Sequence, residues 1–343
     1  MTLPDRAPPR KPRRLGLYAP FALLLILVAA WSLGWAWLRG EVLRRLDEAR
    51  DAPGAAAIRI DWTRRAISGF PFRLDLDLAD ARFSEGSGWA ITAPRLNAEA
   101  FVFAPSHWVA VAPAGVVFRR RGDRPVIIKA KVLRASLSGL GERPPRLSIE
   151  GLGLTFATAR GAAPYLITAA EGLHLHTRAG PGGQGAVYIE VDRARARLAG
   201  LVGRIAAGQP ITFMGDGIYS HADVLAGRDW PAAVRAWSGA GGAMGIRRLR
   251  LEAGRAFVDA RAGSLSVGGD GRLRGSLGVS VRQAPRTLAA MSDWGALPPE
   301  SAREAESVVG ARASGPLVNL TLDFQAGRTT LGPAAIGPAP RIY

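Results

Sequence analysis

The 24 residues from Leu15 to Leu38, LGLYAPFALLLILVAAWSLGWAWL, contain no charged side chain. As a helix they extend about 36 Å, enough for the ~30 Å hydrocarbon layer of a bilayer with some tilt. Arg6, Arg10, Lys11, Arg13 and Arg14 precede them, against one acid, Asp5. The positive-inside rule therefore predicts a cytoplasmic basic tail over 1–14, a transmembrane helix over 15–38, and everything beyond Arg39 on the far side. Tyr18 falls near one interface, and Trp31, Trp35 and Trp37 near the other, as an aromatic belt would. A cleaved signal peptide is the competing reading, with Ser32 and Ala30 at a cleavage site. Its apolar core would normally be about 7–15 residues, so an uncleaved anchor is favoured. Both readings export the domain.

Residues 39–57 read as a juxtamembrane helix and linker. RGEVLRRLDEAR places Glu41 and Arg45 one turn apart, with Val42, Leu43 and Leu46 on an apolar side, until Pro53 and Gly54 end it. From Ile58 the pattern changes to period two. IRIDW, RLDLDL (73–78), RLNAEAFVF (95–103), VIIKAKVLRASL (126–137), RLSIEGLGLTFAT (146–158), GLHLHTR (172–178), AVYIEVD (186–192), IRRLRLEA (246–253), SLSVGG (264–269), RLRGSLGVSVR (272–282) and LVNLTLDF (317–324) alternate between Gly, Pro or Asp breaks. This predicts a mainly β (α+β) domain over 58–343: an elongated, curved antiparallel sheet with one covered face and a few short helices. Asp270-Gly271 predicts a type I′ hairpin. Helices are expected at 198–207, 230–237, 284–294 and 299–309, and a sub-lobe boundary near 208–245.

The chain of 343 residues has a formal net charge of +17, no cysteine and 4 histidines. Disulfides and thiolate metal sites are thereby excluded. Few constellations suggest chemistry. Asp75, Asp77 and Asp80 read as the solvated side of an amphipathic strand rather than a calcium site, which needs more oxygens in a turn. His174 and His176 share a strand face but lack an evident third ligand. GPGGQG (180–185) matches G-x-G-x-x-G, yet runs into a strand, so it reads as a hairpin loop and not a dinucleotide cradle. GDGIYSHAD (215–223) gathers Asp216, Ser220, His221 and Asp223, read as a polar loop, and no G-x-S-x-G elbow is present. Arg119, Arg120, Arg121 and Arg124, and the alternating Arg193, Arg195 and Arg197, read as solvated faces, with contact to anionic headgroups as the second reading. No catalytic, cofactor-binding or metal-binding residue is expected, and no cofactor, no nucleic-acid partner and no enzymatic activity.

Gly69–Leu74 (GFPFRL) and the Ala93–His107 stretch (APRLNAEAFVFAPSH), with the closing GRTTLGPAAIGPAPRIY, resemble a bacterial membrane-anchored family, domain of unknown function 2125. That family looks related to AsmA-like envelope proteins. The resemblance implies an inner-membrane anchor with its N-terminus cytoplasmic and a periplasmic β domain, and an apolar sheet face that handles phospholipid or another apolar ligand. The alternative is a structural protein whose partner is another envelope protein. The resemblance carries no catalytic residues.

Overall fold

A computed structural model describes residues 15–51, 59–84, 89–120, 124–142, 144–158, 165, 167–196, 208–225, 230–254, 256–282, 317–332 and 334–343. The apolar run and the helix after it form one element, α1 (Leu15–Asp51). Its second half carries i,i+3 and i,i+4 pairs: Glu41 with Arg44 and Arg45, and Arg44 with Glu48. Such pairs support the helix beyond its apolar run. One further α-helix lies among the described residues, α2 (Trp230–Gly239), with Pro231 in its first turn and Ala233, Val234 and Trp237 buried at helical spacing.

The rest is one antiparallel sheet of 18 strands among the described residues. In chain order these are β1 (Arg59–Asp61), β2 (Arg64–Ser68), β3 (Arg73–Ser84), β4 (Ala90–Phe101), β5 (Trp108–Val111), β6 (Val116–Arg119), β7 (Val126–Lys129), β8 (Val132–Ser138), β9 (Arg146–Thr158), β10 (Ile167–Ala179), β11 (Gly185–Ala196), β12 (Ile211–Tyr219), β13 (Met244–Ala253), β14 (Ala256–Val267), β15 (Leu273–Arg282), β16 (Leu317–Gln325), β17 (Arg328–Leu331) and β18 (Ala334–Pro338). Pairing follows the chain closely. β1 and β2 both pair with β3, which pairs with β4. β5 and β6 line β4; β5 then pairs with β8 and β6 with β7, and both outer members meet β9. From β9 to β18 each strand pairs with the next.

Several local expectations change. VIIKAKVLRASL is two strands, β7 and β8, broken at Ala130-Lys131, where the Lys131 N–H donates to Leu152 O at 2.9 Å. The first half of GDGIYSHAD is not loop: Gly215 to Tyr219 complete β12, which pairs with both neighbours. The ladder thus runs through 211–219. Only Gly271 of Asp270-Gly271 has positive φ, so the turn is not type I′. Gly271 N–H instead donates to Gly268 O at 2.9 Å, closing a longer loop. The two-residue turn with both φ values positive is Ala326-Gly327, between β16 and β17. The helices expected at 198–207, 284–294 and 299–309 lie outside the described residues.

The leucines of β3 anchor the first core. Leu74, Leu76 and Leu78 are buried with Trp62, Ile67, Ala81, Ala93 and Ala112. Their cover is α1 itself: Trp35, Leu38, Val42, Leu43 and Leu46 pack against them. Arg65 fixes the helix from the side, pairing with Asp47 at 2.5 Å, and both Arg50 and Arg65 lie over the Trp62 ring. At the other end Leu277, Val279, Val281, Leu320 and Phe324 form a second core, with Leu331 and Ala339 packed in. Leu74 is 0% exposed. Leu74→Ala removes that packing and leaves a cavity, so chemical unfolding of the full-length protein in detergent should show a loss of about 2–5 kcal/mol.

Candidate functional site: the two faces of the sheet and the helix at its edge

The junction between helix and sheet is built from four aromatic side chains. β2 and β3 are joined by Gly69-Phe70-Pro71-Phe72, with a cis bond before Pro71. Gly69 sits at φ +100°, and a Cβ there would come within 2.8 Å of Arg73 O, so the position demands glycine. The turn faces α1. Trp31 Nε1 donates to Pro71 O and Trp35 Nε1 to Arg73 O, each at 2.9 Å. Trp35 meets Phe70 edge-on at 5.5 Å between centroids, and Trp31 meets Phe72 at 6.2 Å. Both indole N–H groups are thereby satisfied at an aromatic junction, as buried or packed indoles usually are.

Side chains directly opposite in an antiparallel ladder share a face. From the register, one row reads Ala135, Ile149, Leu175, Ile189, Gly215, Leu249, Ala260, Val279, Leu320 across β8 to β16. A parallel row reads Leu133, Gly151, Leu173, Val191, Phe213, Leu251, Val258, Val281 across β8 to β15. Every member is apolar or glycine. Leu133 also packs against the core beneath α1, so the rows continue the face on which the helix lies. Burial varies along them. Ala260, Val279, Val281 and Leu320 are buried, whereas Leu173, Leu175, Ile189, Val191, Phe213, Leu249 and Leu251 are only partly so.

The opposite face is polar in the same register: Arg134, Glu150, His174, Glu190, Met214, Arg250, Asp259, Ser280, Asn319. Its groups pair with one another. Arg134 binds Glu150 at 2.5 Å, Ser280 bonds Asn319 at 2.6 Å, and Tyr188 OH donates to Glu190 at 2.7 Å. That bond, with burial and the negative charge nearby, pushes the Tyr188 phenol up to about 12. Asp259 is the buried member. Arg261 bonds its Oδ2 at 2.7 Å, and Arg248 and Arg250 approach Oδ1 at 3.6 Å. Burial works against its ionisation, but the hydrogen bond from Arg261 and the three positive charges outweigh it and hold the carboxyl below its ordinary value.

The residues singled out in the sequence fall into this frame. Asp75 and Asp77 do share the polar face of β3, Asp75 with Arg73 at 3.2 Å and Asp77 with Asn97. Asp80 departs from it at φ +49° and accepts a bond from Thr63. His174 and His176 stand side by side, centroids 6.4 Å apart, and His176 Nδ1 is 2.6 Å from Ser148 Oγ. No three His, Asp or Glu among the described residues converge in a metal-holding group. GPGGQG is the turn between β10 and β11. The Ser220 hydroxyl is engaged by the backbone of Ala243, bracing β12 against β13. Arg193 occupies a bulge at φ +42° and bonds Glu171. Arg119, Arg120 and Arg124 of the basic turn are exposed, whereas Arg121 and Arg197 lie outside the described residues. Sequence reasoning missed Asp259, whose only signal was an acid between the basic Arg248, Arg250 and Arg261. Asp259→Asn leaves three guanidinium groups facing one another and should cost about 1–3 kcal/mol at neutral pH. Because the folded-state carboxyl titrates below the unfolded value of ~3.9, its contribution is present above that value and lost as pH falls through the folded one. Unfolding followed from pH 7 down to pH 2 should therefore show a shallower acid limb in the variant.

No curated protein and no solved structure matches this chain. A family model described as an uncharacterized protein conserved in bacteria (DUF2125) matches residues 35–340. That span starts at Trp35, inside the helix that covers the sheet, and ends after the last strand, so the chain belongs to this uncharacterised bacterial family.

Proposed function

We propose that this protein is a non-enzymatic, single-pass inner-membrane protein whose exported sheet binds the acyl chains of phospholipid, or a similarly apolar ligand, along its apolar face. The observation that carries the reading is the pair of unbroken apolar rows from β8 to β15, only partly buried in the middle strands and continuous with the face seated on α1. α1 is long and apolar enough to cross a membrane, and its most apolar 18-residue window buries none of its residues. A contiguous, partly exposed apolar strip of this kind has the character of a binding surface. The basic tail of five Lys or Arg before Leu15 supports a cytoplasmic N-terminus, which leaves the sheet in the periplasm. The reading extends the resemblance to AsmA-like envelope proteins, whose larger members are thought to form apolar grooves for phospholipid passage.

A second reading has specific support as well. The polar face holds its charges in mutual pairs rather than aiming them at a cleft, as in a scaffold that meets a protein partner through an edge. One experiment separates the two. The chain has no cysteine, so single thiols report their own position. Leu175→Cys and His176→Cys lie on opposite faces of β10. Each is labelled with a photoreactive benzophenone in the full-length protein within membrane vesicles. Lipid adducts at 175 and not at 176 are expected. Equal labelling, or adducts at 175 with protein alone, would overturn lipid binding.

A further inference from the structure

The exposed aromatics at one end of the sheet carry an inference beyond the anchor. Phe70, Phe72, Phe101 and Phe103 are 54%, 60%, 50% and 73% exposed. Phe70 and Phe72 sit in the turn 69–72 between β2 and β3, Phe101 ends β4, and Phe103 follows in the adjacent turn 102–107 before β5. The turns are locked together. Arg73 faces Phe101 in the ladder, and the Val102 N–H donates to Phe72 O at 3.0 Å. Phe101 and Phe103 stack at 5.1 Å. Four large apolar rings in water at one rigid corner is an unfavourable arrangement for a solvated surface.

The height of this corner follows from α1. Trp31, which bonds Pro71 O, lies eight residues before Arg39, the first charge after the span; at 1.5 Å per residue that is about 12 Å. If the ~30 Å hydrocarbon layer begins as early as Leu15, Trp31 is still about 6 Å inside its far boundary. A turn hydrogen-bonded to Trp31 therefore cannot stand clear of the bilayer. Trp35 holds Arg73 O one helical turn higher. The exposed Leu33 and Trp37 of α1 lie in the same zone.

We infer that Phe70, Phe72, Phe101 and Phe103 form a membrane-docking foot, inserted at the boundary between headgroups and acyl chains of the leaflet on the domain side. The occupant of this surface is lipid, because the span itself delivers the corner to that depth. With α1 seated on the sheet, the foot adds a second contact that fixes the rotation of the sheet about the span. The inference rests on α1 spanning the membrane, but not on any ligand lying along the apolar face.

Nitroxide-labelled single-cysteine variants of the full-length protein, reconstituted in phosphatidylethanolamine–phosphatidylglycerol vesicles, test it. Phe103→Cys removes a ring that stacks on Phe101; Phe72→Cys removes one junction ring but leaves the backbone bonds from Trp31 and Trp35, and circular dichroism of the sheet checks that each variant folds. Leu25→Cys reports the span. Arg82→Cys, about 30 Å away along β3, reports the aqueous end. Collisional accessibility to oxygen should exceed that to a water-soluble nickel chelate at 25, 72 and 103, and the order should reverse at 82. Aqueous behaviour at 72 and 103 with bilayer behaviour at 25 overturns the foot and leaves the span standing. Aqueous behaviour at 25 overturns the span, and the foot with it.

Discussion

The seat of α1 on the leucine face of β3 is the contact on which the rest of this structure depends. A sheet that is apolar on one side must hide that side. Here Leu74, Leu76 and Leu78 are hidden by Trp35, Leu38, Val42, Leu43 and Leu46, the last turns of the helix that carries the apolar span. Each large apolar side chain fully buried is worth roughly 1.5–3 kcal/mol, so the first core stands or falls with the helix. The indole bonds from Trp31 and Trp35 to the β2–β3 turn and the Arg65–Asp47 pair leave little freedom for the helix to swing.

From that seat the sheet grows by local steps. From β9 to β18 every strand pairs with the one just before it in the chain. Pairing of this kind keeps loop-closure costs low. A long meander also creates two edges that must not recruit other chains. At one edge β1 and β2 are short and bear Arg59, Arg64 and Arg65. At the other, β18 ends in Pro338, which has no ladder N–H to offer.

Much of this was legible from period two alone. The run Arg146–Thr158 matches β9 to the residue, and Trp230 to Trp237 does begin a helix, because Pro231 and an apolar stripe are local signals. What alternation cannot say is who covers a stripe. Val42, Leu43 and Leu46 read as the side of a linker helix, yet they are the lid on β3; that relation spans about thirty residues and is tertiary. Ala326-Gly327 was invisible as a two-residue turn because alanine is a poor choice at positive φ, and the flanking pairing of Gln325 with Arg328 imposes it. Gly215 and Gly217 made β12 look like loop, although glycines in a strand cost only part of its propensity when both neighbours pair.

The two faces differ in a way that bears on function. On the polar face, buried charge is neutralised where it stands, as around Asp259. On the apolar face, burial is graded. It is deepest at β3 beneath α1 and at β14 to β16 around Phe324, and shallower across the rows of β10 to β13. A sheet whose apolar side served only as a core would gain most from even cover, since every partly exposed Leu or Ile forgoes transfer free energy. Leu173, Leu175, Ile189 and Leu249 forgo it in register, strand after strand. A row of aligned, half-buried aliphatics leading away from a helix apolar enough to span a membrane is what the proposed acyl-chain binding rests on, and that alignment is why the proposal is placed on the apolar face rather than on a titratable cluster.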